Sequence, residues 1–577
     1  MSQIGMPNNI EASESGRIRG EVLYDIWELT LGVEYPREFK PVDVYCQVQA
    51  NGEEIELLAK YCNSGRAVFL DGNTQVWNNA CLTKHYTLSE KNGGVYYVYE
   101  DRMDSLPELG NTHKIRKDES GYLTLEELGK IRRLLGDMVE VCEREDTIAP
   151  IVAFLESQEV LIASAASELE DKIAGIVGEN YSYLEGLYHH LHEHPELAHE
   201  EWNTSALLAD ELGSLGFEVT TGFAGFGVVA VLKNGSGPTA LIRAEMDALP
   251  VQEETGLPYQ SLTPNVMHAC GHDMHMALLL STAQVLTKIK EQWHGTLVLV
   301  GQPAEETGDG AKAMIDKGLF ELFPRPDYAL AVHLSASKPA GTLTFKKGYS
   351  LANVDYVDVT FKGPGGHGAM PDVVVNPINL ASQFILDLNT FVNGVRKSGP
   401  AVLSVGSFHG GSEGNIIPKE VHLQMTSRSY SEEVRQTLED GVKRIAYGVA
   451  DGARAPRPIV EYRKGVPSLY NSPELVDELV QVFRNIVGED NVFETRPKMY
   501  GDDFGFYGYE TGIPTIQFGL GVQPADEDPK SWPQAHSPRF APQFAGAFEI
   551  GALAMIQSII RLQSIVKPTH SPLAECF

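Results

Sequence analysis

The sequence predicts an α/β protein in which one α/β domain is interrupted by a compact α+β insert and preceded by a separate α+β domain. Three observations carry this expectation. Beyond about residue 167, apolar runs such as "VVAVLKN", "TALIRAEMD" and "GTLVLVGQPAEE" alternate with segments of helical spacing, the pattern of a sheet covered by helices. Between about 350 and 460 the order becomes strand, helix, strand, strand, helix, which is self-contained. Before 165, alternating bursts separated by turn residues give way to helical spacing.

The bulk numbers agree. A chain of 577 residues suggests roughly three or four domains. With 78 acidic against 46 basic residues the net charge is −32, which argues against a nucleic-acid partner. No run has the apolar length of a membrane span, and the opening "MSQIGMPNNIEASESGRIRGE" lacks an apolar leader core. The six cysteines are widely spaced, so free thiols in a reducing cytoplasm are expected.

In chain order, residues 1–16 read as a polar, disordered tail. Residues 17–165 form the N-terminal α+β domain, with strands at "EVLYDIWELTLGV", "VDVYCQVQ" and "GVYYVYED" and turns at "NGEE" and "DGNT". A helix follows, with apolar spacing from Leu125 to Met138 and a capping box of Thr124 and Glu127. The stretch "DESGYLTLEE" is no calcium loop, because Arg116 would occupy the first ligand position. A second helix is expected at about 147–165, and "DKIAGIVGENYSYLEGLYHHLHEHPEL" beyond it also reads as helical. The first part of the split domain, 167–348, contains a helix at 273–290. The glycines of "GFAGFG" (222–227) lack phosphate-loop spacing and read as a β-turn. The insert, 349–460, carries helices at 377–396 and 431–450. Residues 461–566 return to the α/β pattern and close with a helix near 542–563. Residues 567–577 are a tail, and its Cys576 reads as an idle thiol.

The chemistry concentrates in "MHACGHDMH", 267–275. Cys270 and His272 are two apart, so a turn can aim both at one point. His275 opens an apolar helix and reads equally as a helix-end residue. In "LVLVGQPAEETGDGA" an apolar strand runs into the adjacent acids Glu305 and Glu306, at the strand end where α/β proteins gather ligands. Adjacent carboxylates point apart, so one can hold a metal while the other reaches a water. His333 ends the apolar strand of "DYALAVHLS", and His536 lies in the polar loop "QAHSPRFAP". A nucleophilic cysteine is the competing use of Cys270, but that chemistry has no need of the acidic pair.

These residues stand within "LHEHPELAHEE" (191–201), "RAEMDALPVQEETGLPY" (243–259), "HACGHDMHMALLL" (268–280), "QPAEETGDGA" (302–311), "GPGGHGAMP" (363–371), "GNIIP" (414–418), "GDDFGFY" (501–507) and "HSPRF" (536–540). In this order they resemble the M20 metallopeptidases, in the subgroup of aminoacylases and N-acyl-amino-acid and auxin-conjugate amidohydrolases. The resemblance covers about 170–565, and residues 1–165 match no motif. It implies a zinc-peptidase-like catalytic domain with a ferredoxin-like lid or dimerisation domain. It implies two divalent ions (zinc, manganese, cobalt or nickel) held by Cys270, His272, Glu306, His333 and His536, the cysteine bridging. By the same resemblance Glu305 is the general base, Asp247 orients the site, and His367 stabilises the oxyanion. Asn415 and Arg428 hold the substrate's amide and carboxylate. A homodimer paired through the insert is expected.

The chain departs from the subgroup at three points. Glu245 replaces the first aspartate of "RADMDALP", Asp502 replaces the glutamate of a usual Glu-Asp pair, and Met425 stands where the lid's "GTxR" has glycine. The expected activity is hydrolysis of an amide in an N-acyl amino acid or short peptide by a metal-activated water. The rival readings are a dipeptidase or carboxypeptidase of the same family and a non-catalytic metabolite-binding scaffold.

Overall fold

The computed structural model describes residues 145–370 and 374–566, together with strand residues at 18–19, 44–51, 54–61, 85–91, 94–100, 113–116 and 122–123; side chains are described from 168 onward. The chain forms two compact units, Met1–Ile173 and Ala174–Phe577. In the first, Val44–Asn51 pairs antiparallel with Glu54–Tyr61, which also pairs with His113–Arg116. His85–Lys91 and Gly94–Glu100 form a second antiparallel pair. Asn51 faces Glu54 in the register, so the chain reverses at the expected "NGEE". The expected strand at "EVLYDIWELTLGV", the helix capped by Thr124 and the tail with Cys576 lie outside the described residues.

The expected helix at 147–165 does not stop there. One helix of 49 residues runs from Glu145 to Glu193. No proline stands between Pro150 and Pro195, so nothing in the backbone chemistry ends the helix until two residues before Pro195.

The second unit is built on a mixed sheet. Its main path runs Gly348–Leu351, Leu469–Asn471, Thr515–Gln523, Tyr328–Pro339, Thr239–Glu245, Gly295–Gln302, Gly227–Asn234 and Glu218–Phe223. The strands from Thr515–Gln523 to Gly295–Gln302 are parallel, and the last two form an antiparallel hairpin turning at "GFAGFG". The central strands are nearly continuous apolar runs because both faces are covered, as parallel strands require. Helix His272–Lys288 packs in this cover and is buried on every side through Leu286, so its apolar residues are core. Among the described residues, no helix is long and apolar enough to cross a membrane.

The insert is a separate antiparallel sheet in the order Ala401–His409, Glu420–Ser429, Asn353–Lys362, Ile459–Lys464. Helices Pro377–Val395 and Glu432–Gly452 cover one face, burying Phe361, Leu380, Phe384, Leu423 and Val442 between sheet and helices. Asn376 and Ser431 cap the two helices through their side-chain oxygens. The expected strand-helix-strand-strand-helix order is followed by one more strand, Ile459–Lys464, which carries the insert's sheet past the expected boundary at 460.

One strand differs from expectation. His333 does not end its strand, which continues to Pro339. The register places Arg243 beside Ala331, so Glu245, where the neighbouring strand stops, is level with His333. His333 therefore stands at the rim of the parallel sheet although its own strand runs on.

Candidate metal centre

Each predicted donor is delivered by a short local device. Gly271 separates Cys270 from His272 with φ +88, and a Cβ there would meet Leu334 Cδ1 at 2.3 Å. Only glycine fits, and its left-handed turn aims both flanking side chains at one point. Beyond Gln302 the chain turns through Ala304, whose φ of 54 is unusual for a residue with a side chain. Glu201, itself buried, accepts the Ala304 N–H at 2.9 Å and clamps this turn. The turn presents Glu305 and Glu306. His536 also has positive φ, at 68, and its backbone N–H donates to Ala269 O at 2.8 Å, tying the last loop to the first motif.

The donor atoms converge. Cys270, His272 and His333 form one group within 4.8 Å of one another, and Cys270, Glu306 and His536 form another. Cys270 belongs to both. Its sulfur lies 3.6 Å from His333 Nε2, and His536 Nε2 lies 3.3 Å from Glu306 Oε1. Glu305 Oε2 is 3.8 Å from His272 Nε2.

The outer contacts free the correct nitrogens. His272 Nδ1 donates to Asp247 O at 2.8 Å, and His333 Nδ1 donates to Leu334 O at 2.9 Å. Both rings thus turn a bare Nε2 inward, as neutral imidazole ligands must. Asp247 Oδ2 accepts the Glu306 N–H at 2.9 Å. His272 Nε2, Asp247 Oδ1 and Glu306 Oε1 are buried without hydrogen-bond partners. Orphaned donors of this kind, arranged as two groups sharing a sulfur, fit a pair of divalent cations.

The electrostatics divide: burial opposes charge on His272, yet Cys270 and the Asp247 contact outweigh it and raise that ring above its usual range, where a cation beside Nε2 would hold it neutral. Burial, followed by His275, lowers His333 to about 4, so its ring is neutral near pH 7. Burial, then the Asp502 and Glu306 carboxylates, push Glu305 well above the usual carboxylate range. A raised carboxyl suits a proton shuttle working near neutrality. Burial and Glu306 push the Cys270 thiol up as well. A nucleophile and a metal ligand both need the thiolate, and a pair of cations beside the sulfur would supply the opposing shift.

His275 is not a free ligand. Its Nε2 accepts the Leu334 N–H at 3.0 Å, so its Nδ1 carries the proton and donates to Glu245 Oε2 at 2.8 Å. Glu245 in turn pairs with Arg243 Nη1, on a fully buried guanidinium. Arg243 Nη2 reaches Asp502 at 2.6 Å and Asp503 at 2.9 Å, and Nε donates to Gln302 at 3.0 Å. Two of the chain's departures from the subgroup it resembles thus face each other across one cation: the longer acid at 245 and the shorter acid at 502. Sequence reasoning missed this network, although an arginine inside the apolar run "TALIRAEMD" was a visible signal. It also missed His192, buried between Asp273 at 2.6 Å and Glu253 at 3.3 Å.

A cleft of about 500 Å³ opens on the site, walled by Cys270, Glu305, Glu306, His333 and His536 among others. His367, Asn415 and Arg428 are not in its walls. His367 and Asn415 lie exposed and adjacent on the insert, where Gly368 N–H donates to Asn415 O at 2.7 Å. Arg428 Nη1 donates to Met499 O at 2.7 Å. The structure therefore brings together the predicted ligands, Glu305 and Asp247, and separately brings His367 beside Asn415.

Residues 241–557 match the family model described as Peptidase family M20/M25/M40. The chain is 39% identical over 329 residues to hippurate hydrolase of Campylobacter jejuni, covering 56% of this chain and 84% of that protein. It is 36% identical over 344 residues to thermostable carboxypeptidase 1 of Saccharolobus solfataricus, covering 58% of this chain and 86% of that protein. The crystal structure of YXEP protein from Bacillus subtilis, described as a dinuclear metal binding peptidase, superposes with a TM-score of 0.57 at 26% identity, covering 67% of this chain and all of that one, 100%. A family model spanning more than half of the chain, laid over a donor set built for two cations, leads to one conclusion: the chain belongs to peptidase family M20/M25/M40, a family of metal-dependent hydrolases of amide bonds.

Proposed function

We propose that the chain hydrolyses the amide bond of an N-acyl amino acid or a related amino-acid conjugate, with Glu305 as the proton carrier. The observation that supports it most is Glu305 itself: a half-buried carboxyl with a raised pKa, 3.8 Å from a proposed ligand nitrogen and in the wall of the cleft. Cys270, His272 and His333 would hold one ion, and Cys270, Glu306 and His536 the other. When bound, the ions supply Lewis acidity and a water acidic enough to ionise near neutral pH. The mixed sulfur, nitrogen and oxygen donors suit zinc, manganese, cobalt or nickel.

Glu305 takes a proton from the attacking water as its oxygen bonds to the amide carbon. It returns that proton to the nitrogen as the carbon–nitrogen bond breaks, leaving an acid and an amine. Asp247 holds the His272 ring by its carbonyl and the Glu306 backbone by its carboxylate, so it positions two ligands at once. His367 donates to the developing oxyanion, and Asn415 and Arg428 hold the substrate's amide and carboxylate. These three stand on the insert, so they act after closure of the insert or from a neighbouring subunit. Exposed Met370, Phe408 and Ile416 on the insert favour a homodimer paired through it. A reducing cytoplasm suits a centre whose shared ligand is a thiol.

A second reading, a carboxypeptidase or dipeptidase, is favoured by the similarity to thermostable carboxypeptidase 1. Metal analysis of the purified protein joined to a hydrolysis panel separates them. N-benzoyl and N-acetyl amino acids should be cleaved by the metal-loaded protein and spared after chelation. Cleavage restricted to free-amine dipeptides would sink the amidohydrolase reading, and metal-loaded protein inert toward every amide would favour the scaffold.

A further inference from the structure

We propose that Lys498 is a specificity-determining cation of the cleft, selecting substrates that carry a second carboxylate besides that of the amino acid. The inference rests on the amidohydrolase reading above. The cleft that holds the metal donors is also walled by Lys346 and Lys498. Lys346 is already engaged by Glu494 at 2.6 Å. Lys498, a half-buried residue, makes no ion pair among the described residues; its ammonium lies 5.3 Å from the centroid of the Tyr500 ring. In a chain with 78 acidic and 46 basic residues, a cleft lysine left without a carboxylate runs against the composition. An ammonium without a carboxylate partner can gain from an anion that arrives with the ligand.

Lys498 is also held in place. Its N–H donates to Ser350 O at 2.9 Å, and its carbonyl accepts Ala352 N–H at 3.1 Å. The next carbonyl, of Met499, accepts Arg428 from the insert. These backbone bonds fix where the side chain starts, so its ammonium reaches one part of the cleft. The amino acid's own carboxylate is assigned to Arg428, on the other domain, so the charge that meets Lys498 is an additional one. A single free ammonium matches a carboxylate better than a phosphate, whose greater charge calls for more than one cation. The substrate class is therefore an N-acylated acidic amino acid, or an amino acid acylated by a dicarboxylic acid.

Calorimetry on metal-loaded Glu305→Gln protein tests this without requiring turnover. N-acetyl-glutamate is compared with N-acetyl-glutamine, and N-succinyl-alanine with N-butyryl-alanine. One member carrying the extra charge should bind about 10- to 100-fold tighter than its neutral counterpart, the range of a charged hydrogen bond in a half-buried site. The pair that shows the preference tells which side of the amide carries the charge. Adding Lys498→Met should erase the preference, and Lys498→Arg should keep most of it. Equal binding within both pairs, or a preference that survives Lys498→Met, overturns the proposal. Hydrolysis of the same compounds by the wild-type holoenzyme is read separately: a charge preference that depends on Lys498, without turnover, would remove the amidohydrolase reading and leave the role of Lys498 standing.

Discussion

Glu245→Asp and Asp502→Glu should each be destabilising alone and should together cost less than the sum of the two. The first change withdraws a carboxylate by one carbon–carbon bond, about 1.5 Å. The 2.8 Å bond from His275 would then exceed hydrogen-bonding distance, and Arg243 Nη1 would lose its acceptor. Breaking a buried, hydrogen-bonded ion pair on one side costs about 3–5 kcal/mol. Asp502→Glu alone forces an extra methylene against a guanidinium already held at 2.6 Å, an overpacking cost of about 1–3 kcal/mol. In the double variant the guanidinium can shift toward position 245 and be followed by the longer acid at 502. Charge and total side-chain volume are conserved. A coupling energy of about 1–3 kcal/mol in favour of the double variant is expected. The assay is chemical denaturation of wild type, both single variants and the double variant, with kcat/KM from the same preparations. Additive losses, with the double variant no better than the sum of the singles, would refute the idea that the two departures compensate across Arg243.

Four further outcomes are expected. Cys270→Ala and His272→Ala should each lower bound metal and activity together; full activity with normal metal content in either would remove the proposed centre. Glu305→Gln should keep its metal and lose kcat by ~100-fold or more, while metal loss would show that Glu305 and Glu306 exchange roles. His367→Ala should retain metal and lose turnover; mixed with Glu305→Gln under verified subunit exchange, it should recover activity if His367 is delivered across a dimer, and no recovery would place it in its own subunit's site or outside catalysis. The fourth concerns pH. Burial opposes charge on His192, but hydrogen bonds to Asp273 and Glu253 outweigh it and lift the ring from 6.5 to about 10. Its contribution to stability is therefore complete below 6.5 and is lost as pH rises toward 10. Denaturation midpoints across that range should fall less steeply for His192→Gln than for wild type; parallel slopes would contradict the assignment.

Much of this molecule was legible in its sequence, and the limits have physical causes. Alternation of apolar strands and helices reports local periodicity, so the split domain and its insert were readable. The helix expected at 273–290 is His272–Lys288, and that at 377–396 is Pro377–Val395. The candidate site was readable because Cys270, His272, Glu305 and Glu306 are packed into two short motifs. What was hidden is pairing between distant segments. Arg243 meets Asp502 across a separation of 259 residues, and nothing local in either stretch names the other. His192 and Asp273 are hidden in the same way. The helical stretches on either side of 165 are one helix, because the change of composition there carries no helix-breaking residue. The placement of His367, Asn415 and Arg428 depends on how the insert sits against the catalytic sheet, which strand and helix periods do not encode.

The split of the catalytic domain gives the metal pair a further consequence. Cys270, His272, Glu306 and His333 precede the insert in the chain, whereas His536 follows it. Ions held by both groups would cross-link the chain around the whole insert, closing a long loop whose entropy the unfolded polypeptide would otherwise recover. Chelation should then loosen the segment around His536 while leaving the insert ordered, because the insert keeps its own core of Phe361, Phe384 and Leu423. Amide exchange would show this as a protected island inside a relaxed frame, with the Ala269–His536 hydrogen bond among the first to open.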